Sequence, residues 1–172
     1  MKLIEYHTTS KTDFHSLIKY YDENRIICGQ IEQEYGENGL WFHTDKLNNI
    51  RKFLKNDLEN KFILDLACGS TNSEYKPWLA RGLYKMGINI IGIDINDNSK
   101  EKFENYKIDL SVPNSLNFLK DNSIDIAMAN YFFIGGGLKT SNKKTFNLLL
   151  PQLERIVKKE GYFIYDTCNS GI

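Results

Sequence analysis

The chain has 172 residues, in which 22 Lys and Arg balance 22 Asp and Glu. That length suits one domain with its own core rather than two, and zero net charge gives neither a general positive field for nucleic acid nor an acidic solvating tail. Cys28, Cys68 and Cys168 form no CxxC or Cys/His cluster, so no disulfide framework and no metal site is expected. The opening MKLIEYHTTSKTDFH lacks a signal-peptide core, and no apolar run approaches the roughly 18 residues of a membrane span. The expectation is a reduced, cytoplasmic protein that crosses no membrane.

Residues 1–60 read as a helical N-terminal extension and residues 61–172 as an alternating core. The opening LIEYH alternates weakly, as a short strand would. Ser10 and Asp13 have capping-box spacing ahead of Phe14, Leu17 and Ile18. Ile26, Ile27 and Ile31 continue the helical pattern until Gly36 and Gly39 interrupt it. Thr44 or Asp45 then caps a stripe of Leu47, Ile50, Phe53, Leu54 and Leu58.

From residue 61 the pattern changes. Strands are predicted over 62–67, 88–94, 106–109, 124–130 and 161–166, nearly all apolar, as strands buried on both faces are. Helices fall between them. Pro77 suits a first turn before Trp78, Leu79, Leu83 and Met86, and Gly87 is the stop. A short helix is predicted over 114–121 and a longer one over 143–159, kinked or divided at Pro151. Strand alternating with helix implies an α/β fold: a doubly wound, mostly parallel sheet with helices on both faces.

In such sheets a ligand lies outside the carboxyl ends of the strands, where strand order reverses. The first core strand runs into Asp65-Leu66-Ala67-Cys68-Gly69-Ser70. Its small residues let backbone approach a ligand, and Gly69 allows angles that a side chain resists. Asp65 either holds the turn or faces a ligand's ammonium group. The next strand closes on Asp94, where a carboxylate suits a ribose diol, although a solvated acid before the turn Asn96-Asp97-Asn98 is the plainer reading. The stretch GSTNSE lacks the further glycines of GxGxxG, no GxxxxGK[ST] occurs, and Gly135-Gly136-Gly137 follows a different strand without the lysine. A ligand without phosphates is favoured.

DLACGS followed by GID resembles the class I S-adenosylmethionine-dependent methyltransferases, whose first motif is an acid with small residues and glycines and whose second is an acid closing the next strand. The resemblance covers about residues 61–168. It implies a Rossmann-like core and S-adenosylmethionine as cofactor, with Asp65, Ala67, Cys68, Gly69 and Ser70 along the methionine part. Asp94 would take the ribose and Ile95 the adenine face. Asp109-Leu110 matches the third motif, so Asp109 would meet the adenine amino group, while a turn cap before Ser111 and Pro113 is an equal alternative. Ala129-Asn130-Tyr131 would close the pocket near the sulfonium. Ala67 and Thr71 replace the first and last glycines of the family pattern, and Thr71 leaves less room, so the following helix is expected to start differently. The family sheet has seven strands, and about five are expected here, lacking the usual last two. The fifth-strand edge is then expected to be covered by the N-terminal LIEYH strand or by a second copy of the chain in a homodimer, a minimal or truncated variant being the remaining option.

Methyl transfer is an in-line displacement that needs positioning more than proton chemistry. Tyr131, Phe132 and Phe133 are placed for a cation–π contact with a sulfonium, and serve equally as core or loop aromatics. Asn130-Tyr131-Phe132-Phe133 lacks both prolines of the Asn-Pro-Pro-aromatic motif found in enzymes that methylate amino groups of bases or glutamine. His43, Tyr131 and Asp166 are the acceptor-side candidates, and Cys68 reads as a small filler rather than a nucleophile. The expected acceptor is a small molecule or a protein side chain, with neutral charge arguing against nucleic acid. A non-catalytic methyltransferase-like module working through a partner is the alternative.

Overall fold

The structure, a computed structural model, describes residues 1–6, 60–73, 76–85, 87–130, 132 and 140–166. The helices expected between residues 10 and 58 lie outside these. The strands are β1 (Lys2–Tyr6), β2 (Phe62–Leu66), β3 (Asn89–Asp94), β4 (Glu104–Lys107), β5 (Ile124–Ala129) and β6 (Val157–Asp166). Two helices are described, α1 (Trp78–Lys85) and α2 (Thr140–Ile156). The strands form one six-stranded sheet in the order β1-β6-β5-β2-β3-β4, and every pairing in it is parallel. The fold is α/β.

Among the described residues six strands rather than about five are present, because Lys2–Tyr6 joins the core sheet. It pairs with β6 from Lys2 opposite Tyr162 to Tyr6 opposite Asp166, and the amino terminus donates to Lys159 O at 2.9 Å. Of the two expected ways of covering the fifth-strand edge, the N-terminal strand is the one present.

Strand alternation sorts the core into two faces. Leu64 and Leu66 share one face with Ile91, Ile93, Ala127, Ala129 and Phe163, following the strand register. That face packs with Leu149, Leu153 and Ile156 of α2 and with Leu110, Leu116 and Leu119. The other face carries Ile63, Asp65, Ile90, Gly92, Ile126, Met128 and Ile164. Helix α1 packs on β3, burying Trp78, Leu79, Ala80, Gly82 and Leu83.

The α1 boundaries follow from their residues. Pro77 O accepts the first helical bond, from Arg81 N at 2.9 Å. At the other end Gly87 adopts φ 78°. Gly87 N donates to Tyr84 O at 3.0 Å and Ile88 N to Leu83 O at 3.1 Å, the paired bonds of a Schellman stop.

Three expectations need correction. The 114–121 helix does not form; the segment is a run of turns, with Asn114 at φ 62°. Its backbone groups are claimed by side chains of α2. Gln152 Oε1 accepts from Leu116 N at 2.8 Å, while Arg155 donates to Leu116 O at 2.9 Å and Leu119 O at 2.8 Å. The second correction is that α2 runs through Pro151 undivided and stops at Ile156, before the expected 159. The proline deprives only the carbonyl of Asn147 of its helical bond, and both residues are exposed to water. Asn122 N and Ser123 N then cap Arg155 O and Ile156 O, at 3.0 and 2.8 Å, which ends the helix and lets β6 begin at Val157. Third, the 106–109 strand lies at 104–107 and is polar (ENYK), because β4 is an edge with mostly exposed side chains. No helix among the described residues is long and apolar enough to cross a membrane.

Candidate functional site at the carboxyl ends of β2, β3 and β5

From β2 the chain steps outward through β3 and β4, then returns to the other side of β2 for β5 and β6. Strand order therefore reverses between β2 and β5, and the acids of interest stand at the carboxyl ends beside this point. Asp65 is 1% exposed and Asp94 7%. Asn130, just past β5, donates from Nδ2 to Asp65 Oδ1 at 3.4 Å, so the sequence-distant Asp65 and Asn130 meet across the switch.

The loop after β2 is bent by two left-handed residues, Ala67 (φ 54°) and Gly69 (φ 87°). Gly69 uses the freedom expected of it. Ala67, at the first glycine position of the family pattern, adopts a glycine-like angle with a side chain attached, which costs about 1–2 kcal/mol. Gly92, opposite Asp65 in the register, makes room beneath the loop. A Cβ there would stand 2.6 Å from the Phe103 ring and 3.0 Å from Cys68 Sγ.

Five of the loop's backbone donors are engaged within the chain. Cys68 N donates to Ile93 O at 3.0 Å and Ser73 N to Ser70 O at 3.1 Å. Gly69 N donates to Asp94 Oδ2 at 3.0 Å, Ser70 N to Ser73 Oγ at 3.3 Å and Thr71 N to Asn98 Oδ1 at 3.1 Å. A phosphate-binding turn presents such groups to its ligand, and here those of Cys68, Gly69, Ser70, Thr71 and Ser73 are spent. Helix α1 begins only at Trp78, well beyond the loop.

Asp94 supports the turn on both sides. Its Oδ1 accepts from Asn96 N at 2.8 Å and from Asn96 Nδ2 at 3.0 Å, in addition to the Gly69 bond on Oδ2. A carboxylate has about four lone-pair sites, so one stays open on Oδ2, and taking both hydroxyls of a diol requires the Asn96 amide to move aside. Ile95 beside it is 59% exposed, an apolar face at the site rim.

The electrostatics are negative. Burial pushes the Cys68 thiol far up, and the charges of Asp65 and Asp94 push it further. Cys68 stays protonated, donating to Gly69 O at 3.3 Å, which suits a filler and not a nucleophile. Ser70 is 1% exposed, and its Oγ has no hydrogen-bond partner among the described residues. A buried hydroxyl left so costs about 1–3 kcal/mol, a deficit that a ligand or water makes good.

Asp109 follows Ile108, whose N donates to Asp94 O at 2.8 Å, but its own carboxyl is held in a local turn. Its Oδ1 accepts from Ser111 N at 2.9 Å and Ser111 Oγ at 2.7 Å, and those bonds hold its exposed carboxyl below the usual range. It is the turn cap weighed against the adenine contact. Leu110 points into the apolar core cluster. Asp166 ends β6 on the same rim, and His43 and Tyr131 lie outside the described residues.

Sequence reasoning missed Asn98 and Glu101. Asn98, 3% exposed, takes Thr71 N on Oδ1 and donates from Nδ2 to Gly69 O at 2.8 Å. Glu101 accepts from Thr71 Oγ1 and from Arg81, with Nε at 2.9 Å. Arg81 in turn lies over the Trp78 ring at 4.9 Å. In a polar run such as NDNSKE these residues look like a solvated turn, and only the fold brings them to the loop. The Thr71 hydroxyl is thus used within the chain, on Glu101.

No protein-family model matches the chain. No curated protein matches it either. Among the described residues, no three His, Cys, Asp or Glu side chains come together as a metal site.

Proposed function

We propose that the chain is a Rossmann-like, doubly wound protein that binds S-adenosylmethionine and transfers its methyl group to a small molecule or a protein side chain. The observation that carries this reading is a buried pair of carboxylates, Asp65 and Asp94, at a switch point whose loop has five of its N–H donors, those of Cys68, Gly69, Ser70, Thr71 and Ser73, bonded within the chain. Such a site disfavours phosphates and favours a nucleoside that carries positive charge. The donor set fits S-adenosylmethionine: Asp94 and Ile95 would hold the adenosine, while Asp65, Ser70 and Asn130 would face the methionine part. The cofactor supplies a methyl group on a sulfonium, and the chain contributes orientation and a negative field.

A non-catalytic binding module is the second reading, favoured by Asp94 and Asp109 already serving as turn acceptors. Calorimetry with S-adenosylmethionine tests the first. Binding is expected, and Asp94→Ala should weaken it by about 1–3 kcal/mol through lost charge-assisted hydrogen bonds. No binding at millimolar cofactor would overturn the proposal, and unchanged affinity in Asp94→Ala would refute the ribose assignment. Binding without methylation of any acceptor offered would favour the module.

A further inference from the structure

Among the described residues, every hydrogen bond of the Asn98 side chain goes to one loop. Its amide spans Gly69 O and Thr71 N, at 2.8 and 3.1 Å, and Nδ2 also reaches Cys68 Sγ at 3.6 Å. Donor and acceptor are thus both used, on backbone groups two residues apart, by a side chain that is itself buried. Its neighbours on the β3 side complete the hold. Asp94 takes Gly69 N, and Glu101 takes the Thr71 hydroxyl while braced by Arg81. The loop needs such a hold, because the left-handed angle at Ala67 persists only where surroundings over-determine it.

We infer that Asn98 is a positioning residue that locks the 68–71 loop to the β3 rim, so that Asp94 and the loop meet a ligand as one rigid piece. The inference rests on the cofactor reading for its purpose. Its physical basis is preorganisation: a loop already held in shape loses less freedom when a ligand arrives. Aspartate cannot replace Asn98, because it has no N–H for Gly69 O and would add a third carboxylate beside Asp65 and Asp94.

Two measurements test it. In the wild-type chain without ligand, hydrogen exchange should show the Gly69 and Thr71 amides protected like those of β2; exchange at open-loop rates would overturn the lock whether or not any variant folds. Calorimetry with S-adenosylmethionine then compares wild type, Asn98→Ala and the core variant Ile124→Val. Asn98→Ala should raise Kd about tenfold or more, whereas Ile124→Val should lower the melting temperature and leave Kd unchanged. Wild-type binding that Asn98→Ala leaves untouched, or an equal rise in Kd in Ile124→Val, would overturn the positioning role alone. Absence of wild-type binding would overturn the cofactor reading and the positioning role with it.

Discussion

The two faces of this sheet come from the same strands, one residue out of step; both bury apolar side chains, and only one also carries buried acids and a close backbone approach. On one face Leu64, Leu66, Ile91, Ile93, Ala127, Ala129 and Phe163 meet α2 and the 110–119 turns, apolar against apolar. On the other, the same strands present Asp65 and Gly92 and end near two left-handed loop residues. Both faces provide hydrophobic stability, the first almost purely so. The second carries buried charge, a close backbone approach and a strained alanine, each of which costs stability. The contrast teaches that destabilising features gather on one rim, an arrangement that folding alone does not require.

The largest effect should come from breaking the first face. Phe163 is fully buried and packs with Phe146 and Tyr165, at ring separations of 6.2 and 5.4 Å. Phe163→Ala should cost about 3–5 kcal/mol in denaturant unfolding. A smaller loss would mean that the face collapses around the gap.

Next comes Gly92→Ala on the site face. The new methyl meets the Phe103 ring and Cys68 Sγ, so a loss of about 1–3 kcal/mol is expected. Thermal unfolding checks it, and an unchanged midpoint would show that Phe103 swings away freely.

Ala67→Gly should act in the opposite direction. Relief of the left-handed angle, less the extra freedom of glycine when unfolded, should stabilise by about 0.5–1 kcal/mol and raise Tm by roughly 1–4 °C. A lower Tm would place the strain elsewhere. The smallest effect is pH-dependent. Burial pushes the Glu101 carboxyl up, but hydrogen bonds from Arg81 and Thr71, with the Arg81 charge, outweigh it and hold the group below its ordinary 4.5. Its contribution is therefore present above pH 4.5 and lost as pH falls through the lower folded value. The stability gap between wild type and Glu101→Gln should close as the medium is acidified, and a constant gap would deny the coupling.

What could be read from residues alone followed local chemistry. The apolar runs of β2, β3 and β5 and the Gly87 stop were legible because each is decided within a few neighbours. Asp65, Gly69 and Asp94 were legible as a series because strand ends in a parallel sheet share one rim. The 114–121 segment was not, because its helix competes with Gln152 and Arg155, more than thirty residues away. Asn98 was hidden for the same reason, since a polar residue in a polar turn shows its burial only once the partner loop is in place. The early start of β6 depends on Asn122 and Ser123 capping α2, again a contact made across the fold.

On the proposed reading, this switch point selects a phosphate-free nucleoside carrying positive charge. One competition experiment tests it most directly: S-adenosylmethionine and NAD titrated into the same wild-type protein. S-adenosylmethionine should bind while NAD fails to displace it at equal concentration. Tighter binding of NAD would contradict the account, because the loop would then be offering the donors that Asp94 and Asn98 hold.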